Sequence, residues 1–304
     1  MDFSYDKWGP ELVVKVYDPA LGMEGFVVLD NLALGPGKGG IRMTPDVTEE
    51  EVRRLARAMT WKNALAGIPF GGAKAGIRFK WGTDEEKKAA VQSFAKKIAV
   101  LTPGKYIAGP DVNTGEREMQ WLVEATGNWR SATGKPAALC MLVFGKGGSV
   151  EQCGIPHEFG STGFGVAEST KIAAQMKGID ITKATVSIHG FGNVGTFTYQ
   201  FLDDMGAKVI AIADATGAVV SEDGFDRKEM DMLIEQRKPI IEYSKGKKIK
   251  PEEFWKIPVD IMIPASITDV IHEGNMNDIE TSIIVEGANI PMKEDVERKL
   301  HEKG

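Results

Sequence analysis

Residues 184–195 read ATVSIHGFGNVG, a run of β-branched and apolar residues followed by glycines at 190, 192 and 195. The pattern predicts a strand over 184–190 and a helix opening where the glycines end. In that setting each glycine does something different. Gly190 permits a tight turn, Gly192 lets backbone approach a diphosphate, and Gly195 lets helix pack on strand. Asn193 and Val194 open the helix, whose N-terminal amides then face the diphosphate. Asp214 ends the next predicted strand, AKVIAIAD (207–214), 24 residues beyond Gly190. A carboxylate there can accept hydrogen bonds from ribose hydroxyls. Ala215 and Thr216 offer no arginine for a 2′-phosphate, so the motif favours NAD, with NADP the alternative. Glycine turns also serve plain strand-to-helix packing, and an acid after a strand can be a solvated turn. The strand before the glycines and the helix after them weigh for the dinucleotide.

Outward from this stretch, VDIMIPA (259–265) and SIIVEGA (282–288) read as two more strands. A helix is expected from about His157 to Met176, and the lysine-rich KGKKIK (245–250) reads as a solvated turn. Strands alternating with helices predict a doubly wound, mostly parallel sheet. The first half is α+β in character. ELVVKVY (11–17) and GFVVLDNLAL (25–34) read as paired strands, and Thr48 with Glu51 and Thr83 with Glu86 as helix-opening capping boxes. A third helix is expected near Asn113 or Thr114. The fold class is therefore α/β with two domains: an N-terminal α/β substrate-binding domain, 1–144, and a Rossmann-type dinucleotide domain, 145–304, with a hinge near 133–150.

The 304 residues suit about two domains. Lys plus Arg number 37 against 43 Asp plus Glu, a net charge of −6 that argues against nucleic acid as a partner. No apolar run approaches the ~18–20 residues needed to span a bilayer, and MDFSYDKWGPE lacks a signal peptide's pattern, so a cytoplasmic protein without a membrane partner is expected. Cys140 and Cys153 are too few for a disulfide scaffold and read as thiols.

Glycines also cluster as GPGKGGIRM (35–43), GGAKAG (71–76) and GKGGS (145–149), which suggests ligand-facing loops. Lys38 and Lys74 each sit among such glycines, and Lys62 follows Leu55 and Met59 at helical spacing, which places it on the apolar face of its helix. A buried ammonium needs an anion, and a second cation in a poorly solvated site would lower the pKa of Lys74 toward that of a base. Each signal alone has an ordinary reading: an exposed loop lysine, a snorkelling stem, or an Asx turn at Asp111 in GPDVNTG with Asn113 as helix cap.

Read together, GPGKGGIRM, MTWKNALAGIPFGGAKAGI, GPDVNTG, STGFGV, GFGNVG and VEGAN, in this order, make the chain resemble the glutamate/leucine/phenylalanine/valine dehydrogenase family over almost its whole length. The resemblance implies that Lys74 is the catalytic lysine and that Asp111 handles protons at the amino group. It implies that Lys62 binds the substrate α-carboxylate, and that Lys38, with Gly39, meets the side-chain carboxylate. Thr162 in STGFGV is implied at the nicotinamide amide and Asn289 in VEGAN near its ribose. Glutamate is the implied substrate and reversible NAD(P)-dependent oxidative deamination the implied reaction. A leucine-type, branched-chain or aromatic specificity is the alternative, as Phe164 stands where glutamate-type members carry arginine. A further alternative is a nucleotide-binding homologue without turnover, as the family's closing C-terminal segment is not found after VEGAN. A homo-oligomer, typically a hexamer, is implied by resemblance only.

Overall fold

The computed structural model describes residues 5–80, 82–138, 155 and 159–304. The chain divides into two compact units, 1–158 and 159–304. The GKGGS cluster and both cysteines lie outside the described residues, as does most of the expected hinge.

In the first unit, β1 (Leu12–Asp18) and β2 (Met23–Asn31) form an antiparallel pair, as expected from their β-branched runs. The sheet continues through β5 (Gly71–Arg78), antiparallel to β2, then β3 (Gly37–Lys38) and β6 (Tyr106–Ile107), while β4 (Ile41–Thr44) pairs parallel with β5. Alternation along β5 sends Ala73, Ala75 and Ile77 into a core shared with Val91, Phe94 and Ile98 of α2 (Asp84–Ile98) and Met119 and Leu122 of α3 (Glu116–Thr126). Phe26 and Val28 pack on the other face with Val52 and Ala56 of α1 (Glu49–Leu65).

Three expectations are corrected here. GGAKAG is a buried central strand, not a loop: a Cβ on Gly72 would lie 2.0 Å from Thr60 Oγ1 and 2.3 Å from Thr60 N, so the glycine lets α1 press against the sheet. GPGKGG likewise enters the sheet, as β3. The third helix begins at Glu116, with Gly115 rather than Asn113 at the cap, and Asn113 takes φ +57° in the preceding loop. Thr83 and Glu86 form the full capping box, whereas Thr48 caps α1 but the Glu51 carboxylate is drawn away to Arg42.

The second unit is a six-stranded sheet in the order β10-β9-β8-β7-β11-β12. β7 (Thr185–His189), β8 (Lys208–Asp214), β11 (Val259–Pro264) and β12 (Thr281–Ile284) are parallel, near their expected positions. β9 (Gly217–Val220), unanticipated, folds back antiparallel on β8 and pairs with β10 (Lys247–Ile249). KGKKIK is thus partly an edge strand, its exposed lysines discouraging a further strand from pairing. One face packs on α4 (Ser161–Met176), α5 (Asn193–Asp204) and α6 (Arg227–Glu235); the other packs on Phe254, Trp255 and α7 (Glu294–Lys303). Helical cover on both faces makes it doubly wound.

Candidate active site

Lys74 projects from β5 with its side chain only 2% exposed, and its Nζ lies 2.8 Å from Asp111 Oδ1. Arg42, on β4, donates from Nε to the other carboxylate oxygen at 3.0 Å and pairs with Glu51 of α1. One buried carboxylate thus answers two cations. Burial alone would raise the Asp111 pKa, but Lys74 and then Arg42 hold it below the usual carboxylate value. For Lys74, desolvation lowers the pKa, Asp111 opposes the shift, and Arg42 and Lys62 add to it. An ammonium desolvated and crowded by cations gives up its proton more readily than one in water.

The DVNT loop is built to hold Asp111 in place. The Asp111 amide donates to Thr114 Oγ1 at 2.9 Å, and that hydroxyl donates to Ile41 O at 2.6 Å. The Asn113 side-chain amide donates to Met43 O at 3.0 Å, so the loop is stapled to β4. Arg42 lies within GPGKGGIRM, yet sequence reasoning passed over it. An arginine flanked by the apolar Ile41 and Met43 was the available signal, since a guanidinium packed among such residues requires an anion.

Lys38 aligns with Gly72 across the β3–β5 pair, so it emerges on the face that carries Lys74 two residues further along β5. Its ammonium donates to Ala108 O at 3.0 Å. Desolvation, with the nearby Lys74 and Lys135 ammoniums, pulls its pKa down to about 7. Gly39 is buried beside it, and a Cβ there would meet Ala73 O at 1.6 Å, so close strand packing accounts for this glycine. Lys62 corrects an expectation: the buried stripe of α1 is Val52, Leu55, Ala56, Thr60 and Asn63, and Lys62 stands exposed in the last turn. The helix spacing was right, but the stripe turns away from Met59 before it reaches Lys62. Crowding by protein lowers its pKa and Asp111 opposes the shift, so the two groups are electrostatically within reach.

In the second unit the glycine turn has the expected form. Gly190 has φ +133°, Gly192 is the N-cap of α5 with open space where its Cβ would stand, and a Cβ on Gly195 would lie 1.8 Å from Gly190 O. Asn193 and Val194 begin the helix. Open space at the second glycine and forced contact at the third fit a diphosphate laid on the helix N-terminus. Asp214 ends β8, its Oδ1 accepting from the Thr216 amide at 2.8 Å and its Oδ2 from the Ile240 amide at 2.7 Å, which holds the carboxylate rigidly at the strand end. Thr162 lies exposed in the first turn of α4, and Asn289 follows β12, half-buried, its carbonyl accepting from Thr268. His189, which sequence reasoning had passed over, stacks on Trp255 at 4.5 Å and meets Ser266 Oγ at 2.8 Å. Burial pulls its pKa down to about 4, so it is neutral and ties together the ends of β7 and β11 beside Gly190.

A lysine-centred ion cluster on an α/β sheet, joined in one chain to a doubly wound unit with a dinucleotide-type turn, is the make-up of a two-domain nicotinamide-linked dehydrogenase. The sequence pattern of the Glu/Leu/Phe/Val dehydrogenase dimerisation domain matches residues 10–128, and that of Glutamate/Leucine/Phenylalanine/Valine dehydrogenase matches residues 153–304. The chain belongs to this family. It is 36% identical to a glutamate dehydrogenase of Thermotoga maritima over 92% of this chain and 67% of that protein. It is also 36% identical to an NADP-specific glutamate dehydrogenase of Saccharolobus shibatae, over 97% of this chain and 70% of the other. The crystal structure of a hetero-hexameric glutamate dehydrogenase from Thermus thermophilus, in a leucine-bound form, superposes with a TM-score of 0.80 at 25% identity, covering 97% of this chain and 71% of that one. The chain thus spans about two thirds of the length of the relatives it matches.

Proposed function

We propose that this chain catalyses reversible oxidative deamination of L-glutamate, giving 2-oxoglutarate and ammonium with reduction of NAD. The carrying observation is the buried Lys74–Asp111 pair with Lys38 on the same sheet face. Strand spacing puts the Cα atoms of Lys38 and Lys74 roughly 8 Å apart, so both side chains serve one substrate on the same sheet face. Glutamate dehydrogenases among the relatives support the same substrate.

In this reading Lys62 holds the α-carboxylate and Lys38, with the Gly39 backbone beside it, orients the distal one. The nicotinamide supplies a hydride acceptor for the α-carbon when bound at Gly190, Gly192, Asn193, Val194 and Gly195, with Asp214 at the ribose and Thr162 and Asn289 toward the nicotinamide. Neutral Lys74 takes a proton from the water that attacks the imine carbon, and Asp111 exchanges a proton with the departing nitrogen. Fixing both carboxylates lets much of the rate gain come from positioning. The substrate portion is 1–144 and the dinucleotide portion 145–304, the location is cytoplasmic, and the chain assembles as a homo-oligomer. A hexamer is the expected closed form, which sedimentation velocity measures directly.

Absorbance of reduced nicotinamide, with NAD or NADP and with L-glutamate, L-leucine or L-phenylalanine, tests the reading. Glutamate-dependent reduction supports it. Turnover only with apolar amino acids, or silence with all three alongside measurable NAD binding, overturns it, and a strong NADP preference overturns the cofactor assignment alone.

A further inference from the structure

Lys74 and Arg42 share Asp111, but among the described residues neither Lys38 nor Lys135 is paired with a carboxylate. Lys38 has Ala108 O, and Lys135 has Ala132 O and the face of Trp129, 4.2 Å from its ammonium. Both side chains are half-buried.

The backbone brings them to one place. The segment after α3 runs parallel to the end of β6: the Ala108 amide donates to Ser131 O at 2.9 Å, and the Thr133 amide to Ala108 O at 3.0 Å. The Ala108 carbonyl that accepts from Thr133 is the one that accepts from the Lys38 ammonium. Thr133 Oγ1 and Lys38 Nζ also converge on Gly109, where an added Cβ would lie 3.4 Å from the first and 2.7 Å from the second. Lys135 is two residues beyond Thr133, close enough that its ammonium acts on that of Lys38.

Two partly desolvated ammoniums held near each other without an anion are unfavourable, and an anion between them relieves both the desolvation cost and the repulsion. Gly109 leaves room for the Lys38 ammonium, which an added Cβ would approach to 2.7 Å. We propose that Lys135 is a specificity-determining residue that, with Lys38, binds the distal carboxylate of a dicarboxylic substrate. The stack on Trp129 and the bond to Ala132 O hold it in position, which limits the side-chain entropy lost on binding. The inference rests on the glutamate reading for the identity of the substrate, but the subsite is defined by charge and is measurable without turnover.

The test is calorimetric binding of glutarate, a five-carbon dicarboxylate, and of butyrate, its monocarboxylate counterpart, to the intact chain and to Lys135→Gln and Lys135→Arg. Loss of one charge-assisted contact predicts about tenfold or more weaker glutarate binding in K135Q, unchanged butyrate binding, and recovery of most of the affinity in K135R. Equal glutarate affinity in K135Q and the parent, equal losses for both ligands, or no glutarate binding by the parent overturns the inference. The glutamate reading is judged separately by turnover of the parent. If turnover is present, the KM for glutamate rises in K135Q while that for norvaline, which lacks the distal carboxylate, does not.

Discussion

Asp111 neutralises two buried cations, so removing its carboxylate strands Lys74 and leaves Arg42 with Glu51 as its remaining carboxylate partner among the ion pairs described. Breaking such a buried ion cluster costs about 3–5 kcal/mol, and urea denaturation of Asp111→Ala should read a loss of that order. Lys74→Ala instead removes one cation and leaves Asp111 paired with Arg42. It should abolish turnover, measured by nicotinamide absorbance, while NADH binding survives. Lys38 brings a pH dependence. Its pKa is about 7 in the folded chain against 10.5 for an ordinary lysine, so between those values the unfolded chain carries the extra proton. Stability therefore rises with pH across that window, and below about 7 both states are protonated and the desolvation cost stands in full. Lys38→Met should flatten this slope in denaturation curves collected from about pH 7 to 10. A carboxylate bound beside Lys38 raises its pKa again, so glutarate binding at about pH 8 should take up about one proton, which calorimetry in buffers of different ionisation enthalpy detects.

At the scale of elements, the glycines separate into those that meet ligand space and those that meet protein. Gly195→Ala would force a Cβ to 1.8 Å from Gly190 O, so the β7–α5 turn must open. NADH binding, followed by nucleotide fluorescence, should be lost while far-ultraviolet circular dichroism is little changed. The strand, turn and helix around Gly190 were legible in the sequence because all their determinants lie within about a dozen residues. The β5 strand was not, because Gly71, Gly72 and Gly76 resemble loop residues locally. Only the close approach of α1 on one face, and of neighbouring strands, explains why the smallest residues occupy the most buried strand. Glu51 is a similar case: the capping-box spacing was present, but Arg42 offered its carboxylate a full charge where the helix terminus offered a backbone amide.

Across the whole molecule, the two units have separate hydrophobic cores, one built on α2 and α3 and the other on α4 to α7. Thermal unfolding should therefore resolve by unit. Asp111→Ala is expected to lower only the transition of the first unit and NADH to raise only that of the second, as differential scanning calorimetry can report. A single transition shifted equally by both would show that the units unfold as one.

The linear chain carried most of the strands and helices and the dinucleotide turn, because glycine spacing, β-branched runs and capping residues act over short range, and its ordered motifs marked Lys38, Lys74 and Asp111 as candidates whose roles only the family resemblance implied. Tertiary structure alone decided that Arg42 shares Asp111 with Lys74, that Lys62 is exposed, and that Lys135 comes beside Lys38. Charges distant in sequence meet only when strands β3, β5 and β6 are laid side by side, and their strength depends on the water that packing has removed.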